Sequence, residues 1–148
     1  WTAGKNMFKW FSSIGLEEEN FRKNIYMSAV CRCYPGKNTS GTGDRVPTEV
    51  EIKKCSKWLD YEIDTLKPKL IIPVGKLAIS QFIIFNKLND VVGKKIIYKK
   101  DNYNINIVAL PHPSGLSTWY KKEPGKSLLY QALKIIKNEK EWKLILEK

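Results

Sequence analysis

The run Ile105-Asn106-Ile107-Val108-Ala109-Leu110 passes without a break into Pro111-His112-Pro113-Ser114-Gly115-Leu116-Ser117. Its first six residues are mostly β-branched or apolar and read as a buried strand. Two prolines and a glycine then restrict the backbone where the strand ends. A loop just past the carboxyl end of a strand is where open α/β sheets place their chemistry. The only histidine of the chain, His112, stands in that loop. Imidazole is the side chain most readily set to donate or withhold a proton near neutral pH. Most histidines are surface or satisfied core residues. The rigid frame and the strand-end position mark His112 as a candidate functional group.

Working outward, Lys94 to Tyr98 reads as a strand joined to Asn104–Leu110 by a polar turn at Lys99 to Tyr103. Leu70-Ile71-Ile72-Pro73-Val74 is a short buried strand, and Gly75 turns the chain into a helix from about Lys76 to Phe85. Asn24 to Val30 alternates and reads as a further strand. A first helix is expected from about Ala3 to Ile14, with Gly15 ending it. Thr48 and Glu51 have the spacing of a capping box, opening a helix that carries Ile52, Cys55, Leu59, Ile63 and Leu66 and stops before Pro68. A last helix covers about Gly125 to Asn138, with Trp142, Leu144 and Ile145 as its continuation. Strands alternating with helices predict an α/β fold with a mostly parallel sheet covered on both faces. One domain over residues 1–148 is the simplest division.

The chain has 148 residues, enough for one sizeable core. Its longest apolar runs fall well short of the roughly 18 residues of a membrane span. The start, Trp1-Thr2-Ala3-Gly4-Lys5, has neither a signal-peptide pattern nor an initiator methionine. The sequence is therefore expected to begin inside a longer protein. The net charge of +11 points to a polyanionic partner. With only Arg22, Arg32 and Arg45 as arginines, a lysine-rich proteome explains part of that surplus.

Cys31, Cys33 and Cys55 are an odd set without a secretory signal, which argues against a disulfide framework. Their spacing is not that of a standard zinc site, and spacing alone makes Cys55 a core residue of its helix. The Gly75-Lys76 junction offers backbone N–H groups and a cation to phosphate, or is an ordinary tight turn. The loop from Lys37 to Arg45 is either a clamp on a nucleic-acid backbone or a solvated loop. Ser114, Gly115 and Ser117 offer hydroxyls and N–H groups to phosphate, and Leu116 between them is placed to wedge into a base stack.

Taken in order, these segments resemble the uracil-DNA glycosylase superfamily, and within it the iron–sulfur, family 4-like branch. The resemblance runs from Trp1-Thr2-Ala3-Gly4-Lys5 through Ala29-Val30-Cys31-Arg32-Cys33-Tyr34-Pro35-Gly36, Glu51-Ile52-Lys53-Lys54-Cys55 and Pro73-Val74-Gly75-Lys76-Leu77-Ala78 to His112-Pro113-Ser114. It implies a three-layer αβα sandwich around a mostly parallel four-stranded sheet. It also implies base-excision repair: a deaminated base, chiefly uracil, is flipped out of DNA and its N-glycosidic bond is hydrolysed. His112 matches the histidine that hydrogen-bonds the base carbonyl. Ser114 and Ser117 match backbone-gripping positions, and Leu116 matches the wedge. Such an enzyme is expected to be a cytoplasmic monomer acting on DNA.

Three departures accompany the resemblance. The family's amino-terminal glycine-rich motif, with its water-handling residue and the first strand, is not found, so this sequence is expected to be the carboxy-terminal portion of a longer protein. Ser28 stands near where several families place a uracil-reading asparagine, and serine makes fewer and shorter contacts. The iron–sulfur relatives use four cysteines. Cys33 and Cys55 match the latter two, with Cys31 as a substitute for Cys33, so a 4Fe-4S cluster would need a further pair. A non-catalytic DNA-binding module on the same fold is the competing reading. A hydrolase unrelated to DNA lacks a nucleophile–histidine–acid set.

Overall fold

A computed structural model describes residues 2–41 and 43–147. Trp1, which begins the resemblance, and Thr42, within the Lys37–Arg45 loop, lie outside the described residues. The chain forms two compact units, residues 1–26 with 69–148, and residues 27–68.

The first unit holds the sheet. β1 (Leu70–Ile71) pairs parallel with β3 (Tyr103–Val108), setting Leu70 opposite Asn106 and Ile71 opposite Ile107. β2 (Lys95–Lys100) pairs antiparallel with β3, from Lys95 opposite Val108 to Lys100 opposite Tyr103. The order is β1-β3-β2. The expected mostly parallel four-stranded sheet is therefore corrected, among the described residues, to a mixed sheet of three strands. The reason is local. Asp101 and Asn102 alone link β2 to β3, and so short a link permits only an antiparallel hairpin. Asp101 takes the left-handed conformation (φ 48°) that aspartate tolerates in such turns.

Asn24–Val30 is the second correction, since no described strand forms there. Asn24 closes a helix, α2 (Glu18–Asn24), which buries Phe21 and carries Glu18–Arg22 and Glu19–Lys23 ion pairs at 2.7 Å. Residues 25–29 alternate in sequence but join no described strand. Their backbone stays irregular, and Tyr26 and Met27 remain exposed.

Around the sheet, α1 (Thr2–Ser12) supplies buried Phe11, and the turn after it supplies Ile14 and Leu16. The helix expected over 76–85 shortens to α4 (Lys76–Ile79), because Gln81 and Phe82 bond three residues back and tighten the chain into turns. A short α5 (Leu88–Val91) and a 3₁₀ turn at Trp119–Lys121 have no periodic signal in the sequence. α6 spans Gly125–Asn138, as its periodicity predicts, with Leu129, Ala132, Leu133 and Ile136 buried. It does not continue: Glu139 is extended, and a separate α7 (Lys140–Leu146) follows. That break lets Trp142 reach full burial, with its Nε1 donating to the Ile14 carbonyl at 3.3 Å and its ring 5.4 Å from that of Phe11. Glu139 is itself buried, accepting from Asn106 Nδ2 (2.7 Å) on β3 and pairing with Lys95 Nζ (3.0 Å) on β2.

The second unit is built on α3 (Glu49–Leu66). Its capping box forms as the spacing predicts. The Thr48 N–H donates to Glu51 Oε2 at 2.7 Å, and the Glu51 N–H donates to Thr48 Oγ1 at 3.3 Å. The helix ends at Lys67 in the left-handed conformation (φ 44°), just before Pro68. Cys55 is half-buried and not a core residue, because Ile63 is the helix's one fully buried side chain. Among the described residues no helix is long and apolar enough to cross a membrane.

Candidate functional site

In the first unit the chain beyond β3 continues as Ala109, Leu110 and Pro111, all essentially inaccessible to solvent. The parallel pairing also continues, with Leu110 N–H donating to Pro73 O and Gly75 N–H to Leu110 O, both at 2.9 Å. His112 is the first exposed residue after this buried run. The pairing thus anchors the loop at its root and delivers the imidazole to the surface at the carboxyl end of two parallel strands.

The ring is oriented by its own loop. His112 Nδ1 accepts from the Ser114 N–H at 3.2 Å. An accepting Nδ1 carries no proton, so in the neutral ring the proton sits on Nε2, the opposite nitrogen. On the other side the ring lies against Gly75, where a Cβ would stand 3.1 Å from His112 Cδ2. Gly75 has φ 87° and ψ 159°, a combination essentially restricted to glycine. Glycine is required there for the backbone angle, and a Cβ would also press on the ring.

The loop itself is a tight turn braced from distant elements. Ser117 N–H donates to Ser114 O at 3.1 Å. Asn6 on α1 donates from Nδ2 to Pro113 O at 2.8 Å and to Tyr120 Oη at 3.2 Å. Tyr120 in turn donates to Ser114 O (3.3 Å), and Lys121 Nζ donates to Gly115 O (3.0 Å). Leu116 stands at the tip, 95% exposed. With its neighbours so held, its exposure is a feature of a fixed turn. Lys76, next to Gly75, is also exposed. His112, Ser114, Gly115, Leu116, Ser117 and Lys76 all belong to this unit.

The remaining candidates lie in the second unit and have internal partners. Ser28 Oγ donates to Glu62 Oε2 (2.7 Å) and accepts from Arg32 Nη2 (2.9 Å). Arg45 forms a bidentate pair with Glu51, Nη1–Oε2 at 2.8 Å and Nη2–Oε1 at 2.5 Å. The Arg45 guanidinium, aided by the Thr48 N–H and hydroxyl, pulls the Glu51 carboxyl down to about 2. Lys37 pairs with Asp44 at 3.3 Å across a one-bridge antiparallel contact, and that hydrogen bond raises its pKa.

Cys31, Cys33 and Cys55 line one cavity with Pro35, Pro47, Glu51 and Lys54. Burial, then a hydrogen bond with Cys55, pushes the Cys31 thiol up. A four-iron cluster takes four thiolates. The chain has three, and among the described residues no group of three or more His, Cys, Asp or Glu is arranged to hold a metal ion. The three cysteines that line the cavity number one short of such a set.

Several bracing residues carry no sequence signal. Asn6 lies 107 positions from the carbonyl it holds. Tyr120 and Lys121 adjoin the loop in sequence, and only that nearness could have drawn attention to them. Glu51 was legible as a helix cap but not as the partner of Arg45.

The description "Uracil DNA glycosylase superfamily" matches residues 1–134, and the chain belongs to that family. It is 28% identical over 120 residues to the type-4 uracil-DNA glycosylase of Archaeoglobus fulgidus, covering 77% of this chain and 55% of that protein. It is 30% identical over 119 residues to the type-4 enzyme of Sulfurisphaera tokodaii, covering 76% and 49%. A type-5 uracil-DNA glycosylase of Pyrobaculum aerophilum is 26% identical over 85 residues, covering 51% and 34%. The similarity places the chain with the family 4-like branch. The chain spans about half the length of the type-4 relatives it matches.

Proposed function

We propose that this protein is a base-excision repair glycosylase that takes uracil, or a related deaminated base, out of DNA and hydrolyses its N-glycosidic bond. The observation that carries this reading is the His112 ring, its Nδ1 occupied by the Ser114 N–H and its Nε2 left as the donor. The bond to be broken is shielded in a duplex, so the base must be extruded. As the bond breaks, electrons pass to the base and negative charge grows on its carbonyl oxygen. A preoriented N–H aimed at that oxygen stabilises the transition state more than the ground state. Leu116, exposed at the tip of its turn, fills the gap the base leaves. Ser114, Gly115 and Ser117 hold the backbone beside it, with Lys76 as a further cation. Ser28 is the base-edge candidate. Because its hydroxyl is already engaged by Glu62 and Arg32, it supports relaxed discrimination among deaminated bases. A monomeric, cytoplasmic protein with the family's αβα layering over residues 1–148 completes the reading.

The test is excision from single- and double-stranded DNA carrying one uracil, with hypoxanthine and thymine controls, using the protein as its gene encodes it. Uracil-dependent abasic sites that fall by roughly a hundredfold or more with His112→Ala support the enzyme. Unchanged turnover in that variant removes His112 from the mechanism. Salt-sensitive DNA binding with no excision of any base moves the reading to a non-catalytic DNA-binding module.

A further inference from the structure

We propose that Asn6 is a positioning residue for the reaction, holding the Pro113–Ser114 peptide so that its N–H fixes which imidazole nitrogen of His112 carries the proton. The proposal rests on the glycosylase reading and deepens it, by naming a side chain outside the histidine loop on which the reacting N–H depends.

A single planar group joins Asn6 to the imidazole. The Pro113 carbonyl and the Ser114 N–H belong to one trans peptide, which is rigid and points the two in opposite directions. Asn6 Nδ2 donates to the carbonyl at 2.8 Å, and the N–H donates to His112 Nδ1 at 3.2 Å. A bond at one end of the plane therefore sets the direction of the donor at the other. It also polarises the group, which strengthens the N–H as a donor. Pro113 is buried, so water replaces a lost amide donor poorly. Without that tie the plane can turn, Nδ1 is released, and the proton of the neutral ring can sit on either nitrogen.

A second tie runs through Tyr120. The same Asn6 amide donates to Tyr120 Oη at 3.2 Å, and that hydroxyl donates to Ser114 O at 3.3 Å. Ser114 is thus held at both of its flanking peptides, one directly and one through the phenol.

Both ties start from one stripe of α1. Thr2, Asn6 and Trp10 are spaced by four residues and share a helix face. Thr2 lies against Gly115, where a Cβ would stand 3.2 Å from Thr2 Cγ2. The Trp10 ring meets the Tyr120 ring edge-on, with centroids 5.0 Å apart. The outer two residues dock the helix along the histidine loop by packing. The central one adds the directional bond.

The experiment uses two variants of the protein as its gene encodes it. Asn6→Leu keeps the branched shape and removes the donor without adding charge. Tyr120→Phe keeps the ring against Trp10 and removes the hydroxyl. Excision of uracil from single-stranded DNA gives kcat and KM. The imidazole nitrogen resonances of His112, identified by their loss in His112→Ala, report the tautomer. In Asn6→Leu, kcat is expected to fall roughly tenfold with little change in KM, because an oriented donor acts in the transition state and not in uniform binding. The Nδ1 and Nε2 resonances should move toward each other as both tautomers become populated. Tyr120→Phe should move both readouts the same way by less, and it stands alone if Asn6→Leu fails to fold. Unchanged resonances overturn the proposal, since lost activity with an unaltered tautomer marks a structural brace and nothing more. A shifted tautomer with unchanged kcat overturns it too. Either result leaves the glycosylase reading intact. If the unsubstituted protein excises no base, that reading falls and the role of Asn6 in the reaction falls with it.

Discussion

Two loops of this chain look alike in the sequence, and the fold holds them by different physics. The loop after β3, residues 111–118, and the loop over residues 36–47 are both rich in glycine, proline and hydroxyls, and both read as candidate DNA contacts. The first is rooted in a parallel strand pair and braced by hydrogen bonds from Asn6, Tyr120 and Lys121 to its carbonyls. The second closes on itself through Asn38 N–H to Gly43 O and Arg45 N–H to Gly36 O, and is tied at a partly or fully exposed surface by the Arg45–Glu51 and Lys37–Asp44 ion pairs. Exposed ion pairs weaken with salt and with protonation of the acid. Hydrogen bonds to backbone carbonyls respond to neither in the same way. A surface can therefore be fixed for chemistry in one place and left responsive to solution conditions in another, with nearly the same residue types.

The sharpest way to break this comparison is at Gly75. Gly75→Val forces a branched side chain into a glycine-only backbone conformation and against the His112 ring. The backbone strain alone costs about 1–3 kcal/mol. Tm is expected to fall by several degrees, and excision should fall further than stability because the imidazole is displaced. A variant with unchanged Tm and unchanged excision would show that the root of the loop does not hold the ring.

Asn6→Ala is the next test. It removes two hydrogen bonds, one of them to Pro113 O, at about 1 kcal/mol. Faster amide exchange at Ser117, whose N–H closes the turn, is the expected signature. Unaltered exchange there would mean that the turn holds without the brace from α1.

The smallest effect belongs to the second loop. The Glu51 carboxyl lies at about 2 in the fold, against about 4.3 in an unfolded chain. Because the folded value is depressed, its contribution is complete above the unfolded value and is lost as pH falls from about 4 toward 2. Amide resonances of Gly36 and Arg45, which are joined by an Arg45 N–H to Gly36 O bond of 3.0 Å, should move over that window while the 111–118 loop does not follow them. Glu51→Gln should move the same resonances at neutral pH, with little change in Tm. A 36–47 loop indifferent to pH, salt and Glu51→Gln would erase the contrast between the two regions.

Much of the local architecture was legible. The Thr48–Glu51 box, the limits of α6 and the β2–β3 hairpin follow from capping chemistry, apolar period and a polar turn, all of which act within a few residues. The alternation at Asn24–Val30 misled for the opposite reason. Alternation is a statement about two faces, and a strand also needs an edge to pair with. Helix 76–85 shortened because the bonds at Gln81 and Phe82 reach back three residues. Trp142 read as an extension of α6, but its burial against Phe11 and Ile14 required the break at Glu139.

By itself the sequence determined that His112 follows a buried strand in a rigid loop, that Leu116 sits among small polar residues, and that the chain resembles a DNA glycosylase. These are facts of order along the chain, set by residue type and short-range sterics. Only the tertiary structure decided that Ser114 takes one imidazole nitrogen, that Gly75 makes room for the ring, and that an asparagine 107 residues away holds the loop's carbonyl. It also decided that Arg45 and Lys37 have carboxylate partners. Such pairings depend on which surfaces meet after the core has formed, and packing joins residues without regard to their separation in sequence.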